Sequence, residues 1–230
     1  MIRLFISEII SLNKPVFLTE NQVHYLLHVM RQKEGQDVLL FDGQTGEWLG
    51  TIQTLTKKQG ILIPTRQTRP QTNESPLILC PALIKKENMD LVFQKATELG
   101  ATEIYPLITD RTVVSKINLD RVRNLLCESA EQCERLTIPK LHPPMKLREL
   151  ISQLPPDIIP VCLSERGETS APITSDKKYA FLIGPEGGWT PAELDWMQGH
   201  SSFVFWHLGH TILRAETASI SALACYRFIA

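Results

Sequence analysis

No run of apolar residues in this sequence approaches the roughly 18 that a membrane-crossing helix needs, so no such helix is expected. The opening MIRLFISEII is apolar only in part, because Arg3 and Glu8 interrupt it. No small-residue cleavage pattern follows, so it reads as a strand and not as a signal peptide. Cysteine is sparse: Cys80, Cys127, Cys133, Cys162 and Cys225 form no C-x-x-C pair, and their number is odd. That excludes a disulfide framework. Several of these thiols sit inside apolar runs, as buried cysteines of a reducing compartment do, and a cytoplasmic protein is expected. Neither sign of charge is in excess, the net value being −1. A global attraction to polyanions is therefore missing, although a local patch can still bind one.

What is present is enough apolar residue for real cores, 43% of 230 residues. That suits one large domain or two smaller ones. Residues 1–70 read mostly as β, with strands at IRLFI, DVLLFDG, EWLGTIQTLT and GILIPTR punctuated by Gly43, Gly46 and Gly60. Between the first two, TENQVHYLLHVMR reads as one helix. Thr19 can cap it, and Val23, Leu26, Leu27 and Met30 make an apolar face. A small, twisted, barrel-like domain is expected. It carries eight basic and six acidic residues, +2, against sixteen and nineteen, −3, in the remainder. The sign is that of a domain touching a polyanion.

The polar stretch RPQTNESP contains the linker, residues 71–76. From 77 to 230 strands and helices alternate. LILCPALI, EIYPLI, IIPVCL, YAFLI and FVFWHL read as strands. NMDLVFQKATELG, capped by Asn88 and ended by Gly100, reads as a helix, as do NLDRVRNLLCESAEQCER, MKLRELISQL, TPAELDWMQG and RAETASISALACYRF. This alternation predicts an α/β domain with a mostly parallel sheet, whose ligand sits at the C-terminal ends of the strands.

FLIGPEGGWTPAEL places glycines between a buried strand and a helix start. Thr190 and Glu193 form a capping box, and Pro191 falls at the first helical position. Gly184, Gly187 and Gly188 allow positive φ and close approach. The loop is either a corner or a wall for a ligand. It matches neither G-x-G-x-x-G nor G-x-x-x-x-G-K-[ST], and Glu186 would repel phosphate. Downstream, LGHTILRAETASISALA sets Arg214 and Glu216 at a strand–helix junction, followed by small residues at helical spacing. His24 and His28 lie four apart, but with no third ligand in view no metal is expected.

These two blocks in order, with HYLLHVMRQKEGQDVLLFDGQTGEWLGTI, ALIKKENMDLVFQKATELGATEIYPLITDRTVV and ESAEQCERLTIPKL before them, resemble the RsmE family of small-subunit ribosomal RNA methyltransferases. The resemblance runs through most of the chain. It implies a PUA-like RNA-binding β-barrel domain followed by a SPOUT-type α/β domain with a deep C-terminal trefoil knot, a homodimer, and methylation of N3 of one uridine in 16S rRNA by S-adenosylmethionine. A methyltransferase of the same fold acting on another RNA position, or a non-catalytic RNA-binding homologue, stays open beside it. By position it implies a cofactor site from Leu182, Ile183, Gly184, Pro185, Glu186, Gly187 and Gly188, then Leu208, Gly209, Ile212, Leu213 and Arg214, with Leu163 completing it. Two departures stand out. His210 occupies the place of a usual arginine, and TDRTVV replaces a more usual Glu-Arg-Ser.

The chemistry asks for a group that removes the N3 proton and a cation that holds charge on the uracil oxygens. Arg214 is the candidate cation. Glu98, Glu128 and Glu216 are candidate bases or orienters, each with an ordinary salt bridge or solvated charge as its alternative. Candidate RNA contacts are Arg3, Arg31, Lys33, Arg66 and Arg69 in the first domain, and Gln94, Lys95 and Arg111 in the second. Trp189 lies close enough to the glycine loop to cover its mouth.

Overall fold

A computed structural model describes residues 1–165 and 171–229. The chain forms two compact units. One comprises Met1–Asn73 with Ala130–Ile138, the other Glu74–Ser129 with Pro139–Ala230. The segment 130–138 therefore belongs with the first unit, whereas its sequence lies inside the expected second domain.

The first unit is a five-stranded sheet of β1 (Arg3–Phe5), β2 (Val16–Phe17), β3 (Asp37–Phe41), β4 (Glu47–Leu55) and β5 (Gly60–Arg69). Its strand order is β1-β3-β4-β5-β2, and the two end strands do not pair, so the sheet is not a closed barrel. Only β1 and β3 run parallel. In β3, Val38 and Leu40 point into the main core with Leu4, Val23, Leu26, Ile52 and Leu62. Phe41, one residue on and so on the other face, packs with Ala130 and Leu136 instead. Both faces of this strand are covered, which is why DVLLF is a continuous apolar run.

The helix after β2 starts as expected. The Thr19 side chain accepts from the Gln22 amide at 3.3 Å, and the Gln22 side chain accepts from the Thr19 amide at 3.0 Å. It is not uniform, however. α1 (Glu20–His24) widens into a π-helical turn over Tyr25–Val29, where the Met30 amide reaches back to the Tyr25 carbonyl. The widened turn breaks the 3.6-residue rhythm, and Arg31 ends it in a left-handed conformation, φ 52°.

The second unit has a six-stranded parallel sheet, order β13-β11-β12-β6-β7-β9. In chain order its elements are β6 (Leu77–Pro81), α2 (Lys86–Glu98), β7 (Glu103–Ile104), β8 (Leu107–Ile108), α3 (Leu119–Gln132), β9 (Lys140–Leu141), β10 (Met145–Lys146), α4 (Leu147–Gln153), β11 (Ile158–Leu163), β12 (Lys178–Ile183), α5 (Pro191–Gln198), β13 (Val204–Trp206) and α6 (Ala215–Ile229). EIYPLI is two strands and not one: β7 joins the main sheet, while β8 pairs with β10. The helix α2 begins at Lys86, so Asn88 lies inside it and caps nothing. Gly100 follows its end at φ 92°, the left-handed residue expected there.

The central strands β6, β11 and β12 are apolar along almost their whole length because helices cover both faces. Ile78, Cys80, Cys162, Ala180 and Leu182 share one core with Met197 of α5 and Leu147 and Leu150 of α4. All strands of the sheet point the same way, so the C-terminal ends of β11, β12 and β13 lie along one edge.

Candidate functional site

That edge holds a cavity of about 200 Å³. Its walls come from three strand ends: Leu163–Glu165 after β11, the 183–189 loop after β12, and the stretch from Trp206 to Ala218 after β13. Of the positions implied by resemblance, Leu163, Ile183, Gly184, Pro185, Glu186, Gly188, Leu208, Gly209, Ile212, Leu213 and Arg214 line it. Leu182 and Gly187 do not. Leu182 is fully buried in the strand core, and Gly187 turns toward Arg111.

The 184–190 loop is shaped by what surrounds it. Pro185 to Gly188 is a turn closed by the Gly188 amide on the Pro185 carbonyl at 2.8 Å. That N–H is spent internally and is not offered to a ligand. Gly188 has φ 68°, and a Cβ there would lie 3.4 Å from the Glu165 carboxylate. At Gly184 a Cβ would meet the Trp189 indole nitrogen at 3.2 Å. Trp189 is itself buried and donates to the Leu163 carbonyl at 3.2 Å, so it is a wall of the cavity. The capping box of α5 is present as expected: Thr190 Oγ1 accepts from the Glu193 amide, and Glu193 Oε2 accepts from the Thr190 amide at 2.8 Å.

The cavity is apolar in the main. Its charged side chains are Glu165, Glu186 and Arg214, and His207 lies beside them, Nδ1 3.1 Å from the Ser164 carbonyl oxygen. Among the described residues no lysine lines it. One guanidinium and two carboxylates make a poor phosphate cradle. They suit a nucleoside without phosphate that carries positive charge, and the close-packed glycines make room for it. Next to this wall, burial and then the Glu193 carboxylate push the Cys162 thiol well above its usual range, so it is inert.

Sequence reasoning missed Ser164, Glu165, Trp206, His207, Thr211, Ala215 and Ala218, which also line the cavity. The Ala-rich start of α6 was the available signal for the last two. His210 is exposed and does not line the cavity, although its neighbours Gly209 and Thr211 do.

The structure does not bring the four candidate catalytic residues together. Arg214 lines the cavity; Glu98, Glu128 and Glu216 do not. Glu98 is ion-paired with Lys95 at 2.8 Å, and Glu128 is an exposed residue of α3. Glu216, in the first turn of α6, is buried with an unpartnered Oε2.

The candidate RNA contacts divide in the same way. Arg3 is buried, pairs with Glu47 at 2.7 Å, donates to the Ala130 carbonyl and lies over the Phe41 ring, so it is no phosphate contact. Arg69 donates to the Glu134 carbonyl at 3.0 Å. Arg31, Lys33 and Arg66 are exposed. In α2, Gln94 is half-buried and Lys95 is held by Glu98. Arg111 is occupied by backbone carbonyls of the glycine loop. Among the described residues no group of three His, Cys, Asp or Glu side chains could hold a metal, and no helix is long and apolar enough to cross a membrane.

Known proteins share this arrangement. The RNA methyltransferase domain family matches residues 71–227, and the RNA methyltransferase PUA domain family matches residues 18–65. The Rickettsia conorii ribosomal RNA small subunit methyltransferase E is 31% identical over 99% of this chain and 95% of its own. The Synechocystis enzyme of the same name is 31% identical over 96% of this chain and 76% of its own. A crystal structure of the Neisseria gonorrhoeae enzyme of that name, bound to S-adenosyl methionine, superposes with a TM-score of 0.88 at 29% identity, covering 99% of this chain and 97% of that one. With a sheet edge walled by the same blocks that carry the sequence resemblance, the chain belongs to the ribosomal RNA small subunit methyltransferase E family of RNA methyltransferases.

Proposed function

We propose that this protein transfers a methyl group from S-adenosylmethionine to N3 of a uridine in the 16S RNA of the small ribosomal subunit. The observation that carries the reading is the cavity at the ends of three parallel strands, apolar, without lysine among its described walls, and bordered by Arg214. When bound there, the cofactor supplies a methyl group on a sulfonium. Ile183, Leu208, Ile212 and Leu213 take the nucleoside's apolar surface, and Gly184, Gly188 and Gly209 leave the space it needs.

Arg214 does the work on the other reactant. Uridine N3 is a poor nucleophile until its proton leaves, and the charge then spreads to the ring oxygens. A guanidinium at the cavity wall stabilises that charge. The target base has to leave its stack to reach the rim. Arg31, Lys33 and Arg66 of the first unit, all exposed, hold the RNA backbone.

The same reading makes residues 1–70 a PUA-like RNA-docking domain and 77–230 a homodimeric SPOUT-class domain with a knotted C-terminal segment, acting in the cytoplasm. The knot rests on the family to which the chain belongs.

Mass spectrometry of 16S rRNA tests the proposal. N3-methyluridine is expected to vanish on deletion of the gene and to return on complementation. Its persistence in the deletion strain would sink the proposal. Loss of a methyl group elsewhere in RNA would assign the fold to another target. No binding of S-adenosylmethionine at millimolar concentration would leave only an RNA-binding role.

A further inference from the structure

Arg111 sits outside the cavity wall, yet it touches the loop that forms it. Its turn, residues 109–112, follows β8 and is closed by the Thr112 amide on the Thr109 carbonyl at 3.1 Å, with the Thr109 amide donating to Thr112 Oγ1 at 2.9 Å. β8 is anchored in turn, by its pairing with β10 and by the Leu83 amide on the Leu107 carbonyl. From this fixed base Arg111 Nη1 donates to the Gly187 carbonyl at 2.7 Å and toward the Trp189 carbonyl at 3.4 Å. Beside it the Asp110 amide donates to Glu193 Oε1 at 3.0 Å, and Thr190 Oγ1 donates to Asp110 Oδ2 at 3.1 Å. The two segments fit closely. A Cβ at Gly187 would stand 3.3 Å from both Cβ and Cδ of Arg111.

We propose that Arg111 is a positioning residue for the methyl-donor site: it fixes the cofactor loop through the Gly187 carbonyl and so sets affinity for the nucleoside without touching it. This rests on the function proposed above. The physical reason is local. The Pro185–Gly188 turn has one internal hydrogen bond and two adjacent glycines, so its own backbone holds it weakly. A charged donor on an outward carbonyl removes that freedom before the ligand arrives, and binding then costs less ordering. It also explains why residue 187 is glycine although it does not line the cavity.

Calorimetry with S-adenosylmethionine alone, without RNA, tests this on the full chain. Arg111→Ala is expected to weaken cofactor binding about tenfold, the scale of one missing charge-assisted hydrogen bond. Arg111→Lys, which keeps one cationic donor, is expected to recover part of that loss, and it serves as the folded control if the alanine variant is unstable. Turnover at saturating cofactor should fall much less than affinity. Gly187→Ala should weaken binding beside Arg111 and less so in the Arg111→Ala background, where the Cδ contact and the hydrogen bond it disturbs are gone and only the Cβ contact remains. Unchanged cofactor affinity with a raised KM for RNA would overturn the proposal and make Arg111 an RNA contact. Additive losses in the double variant would also overturn it. If the unmodified protein binds no cofactor, the proposed function itself fails, an outcome distinct from either of these.

Discussion

Arg214 and Arg3 show how differently one residue type is used in this molecule. Arg3 is 6% exposed and spends its guanidinium on Glu47, on a carbonyl and on an aromatic ring. Its charge is paired where it lies, although Nη2 is buried without a hydrogen-bond partner. Arg214 borders the cavity and, among the described residues, is not tied to a carboxylate in this way. Arg214→Ala is therefore expected to lower kcat by about a hundredfold or more, the usual scale of removing a charge-stabilising donor, while cofactor affinity changes by only a few-fold. Single-turnover assays against a calorimetric titration separate the two effects. If affinity fell and turnover did not, the role given to Arg214 would be wrong. Sequence spacing could rank Arg214 highly, because it stands at a strand–helix junction. It could not tell Arg3 from a surface arginine, since nothing near Arg3 in sequence announces Glu47 or Ala130, which reach it only through the fold.

Elements were readable where a local rule decides them. Both capping boxes could be read in advance, at Thr190 and, in part, at Thr19, because a side chain three residues away is all that a cap requires. Elements that depend on distant partners were not. β2 is two residues long and exists through its pairing with β5. The π-helical turn at Tyr25–Val29 replaces an ordinary helical rhythm that the sequence fits equally well. The loop between β3 and β4 shows a further device. Asp42 is buried, and its carboxylate accepts from the amides of Ile10, Gln44 and Thr45 and from the Thr45 hydroxyl. Burial alone would raise its pKa. These hydrogen bonds together outweigh that and hold it below the ordinary carboxylate value of 3.8. A depressed pKa contributes stability that is complete above the unfolded value and is lost as pH falls through the folded one. Asp42→Asn is thus expected to cost roughly 1–3 kcal/mol at pH 7. The gap to the parent protein should narrow below about pH 4. Urea midpoints at pH 7 and pH 3 check it, and an unchanged gap would contradict the assignment.

At the scale of the whole molecule, a net charge of −1 conceals a division of labour. If the first unit docks RNA, its affinity should depend on salt even though the protein is nearly neutral. Replacing Arg31, Lys33 and Arg66 together by alanine is expected to flatten the log–log salt dependence of RNA binding by about 0.7 to 0.9 for each phosphate no longer neutralised. S-adenosylmethionine affinity, set in the second unit, should stay the same. An unchanged salt slope would move the RNA contacts elsewhere. The α/β class and the broad two-part order of the chain follow from patterning alone. The membership of 130–138 in the first unit does not, because the end of α3 and the segment after it join that unit through Ala130 and Leu136, two apolar residues that any core could have accepted.

The parallel sheet has a last consequence, for how the protein comes into being. Its middle strand β6 lies beside β12, Leu79 facing Phe181 about a hundred residues later. Such distant pairing makes folding slow, because a long loop must close before any pairing rewards it. During synthesis β6 emerges early, and the edge that pairs with β12 has to wait until β12 leaves the ribosome. The cavity waits longer still, since its last wall includes Ala218, near the end of the chain. Nascent chains stalled before that residue should bind no methyl donor.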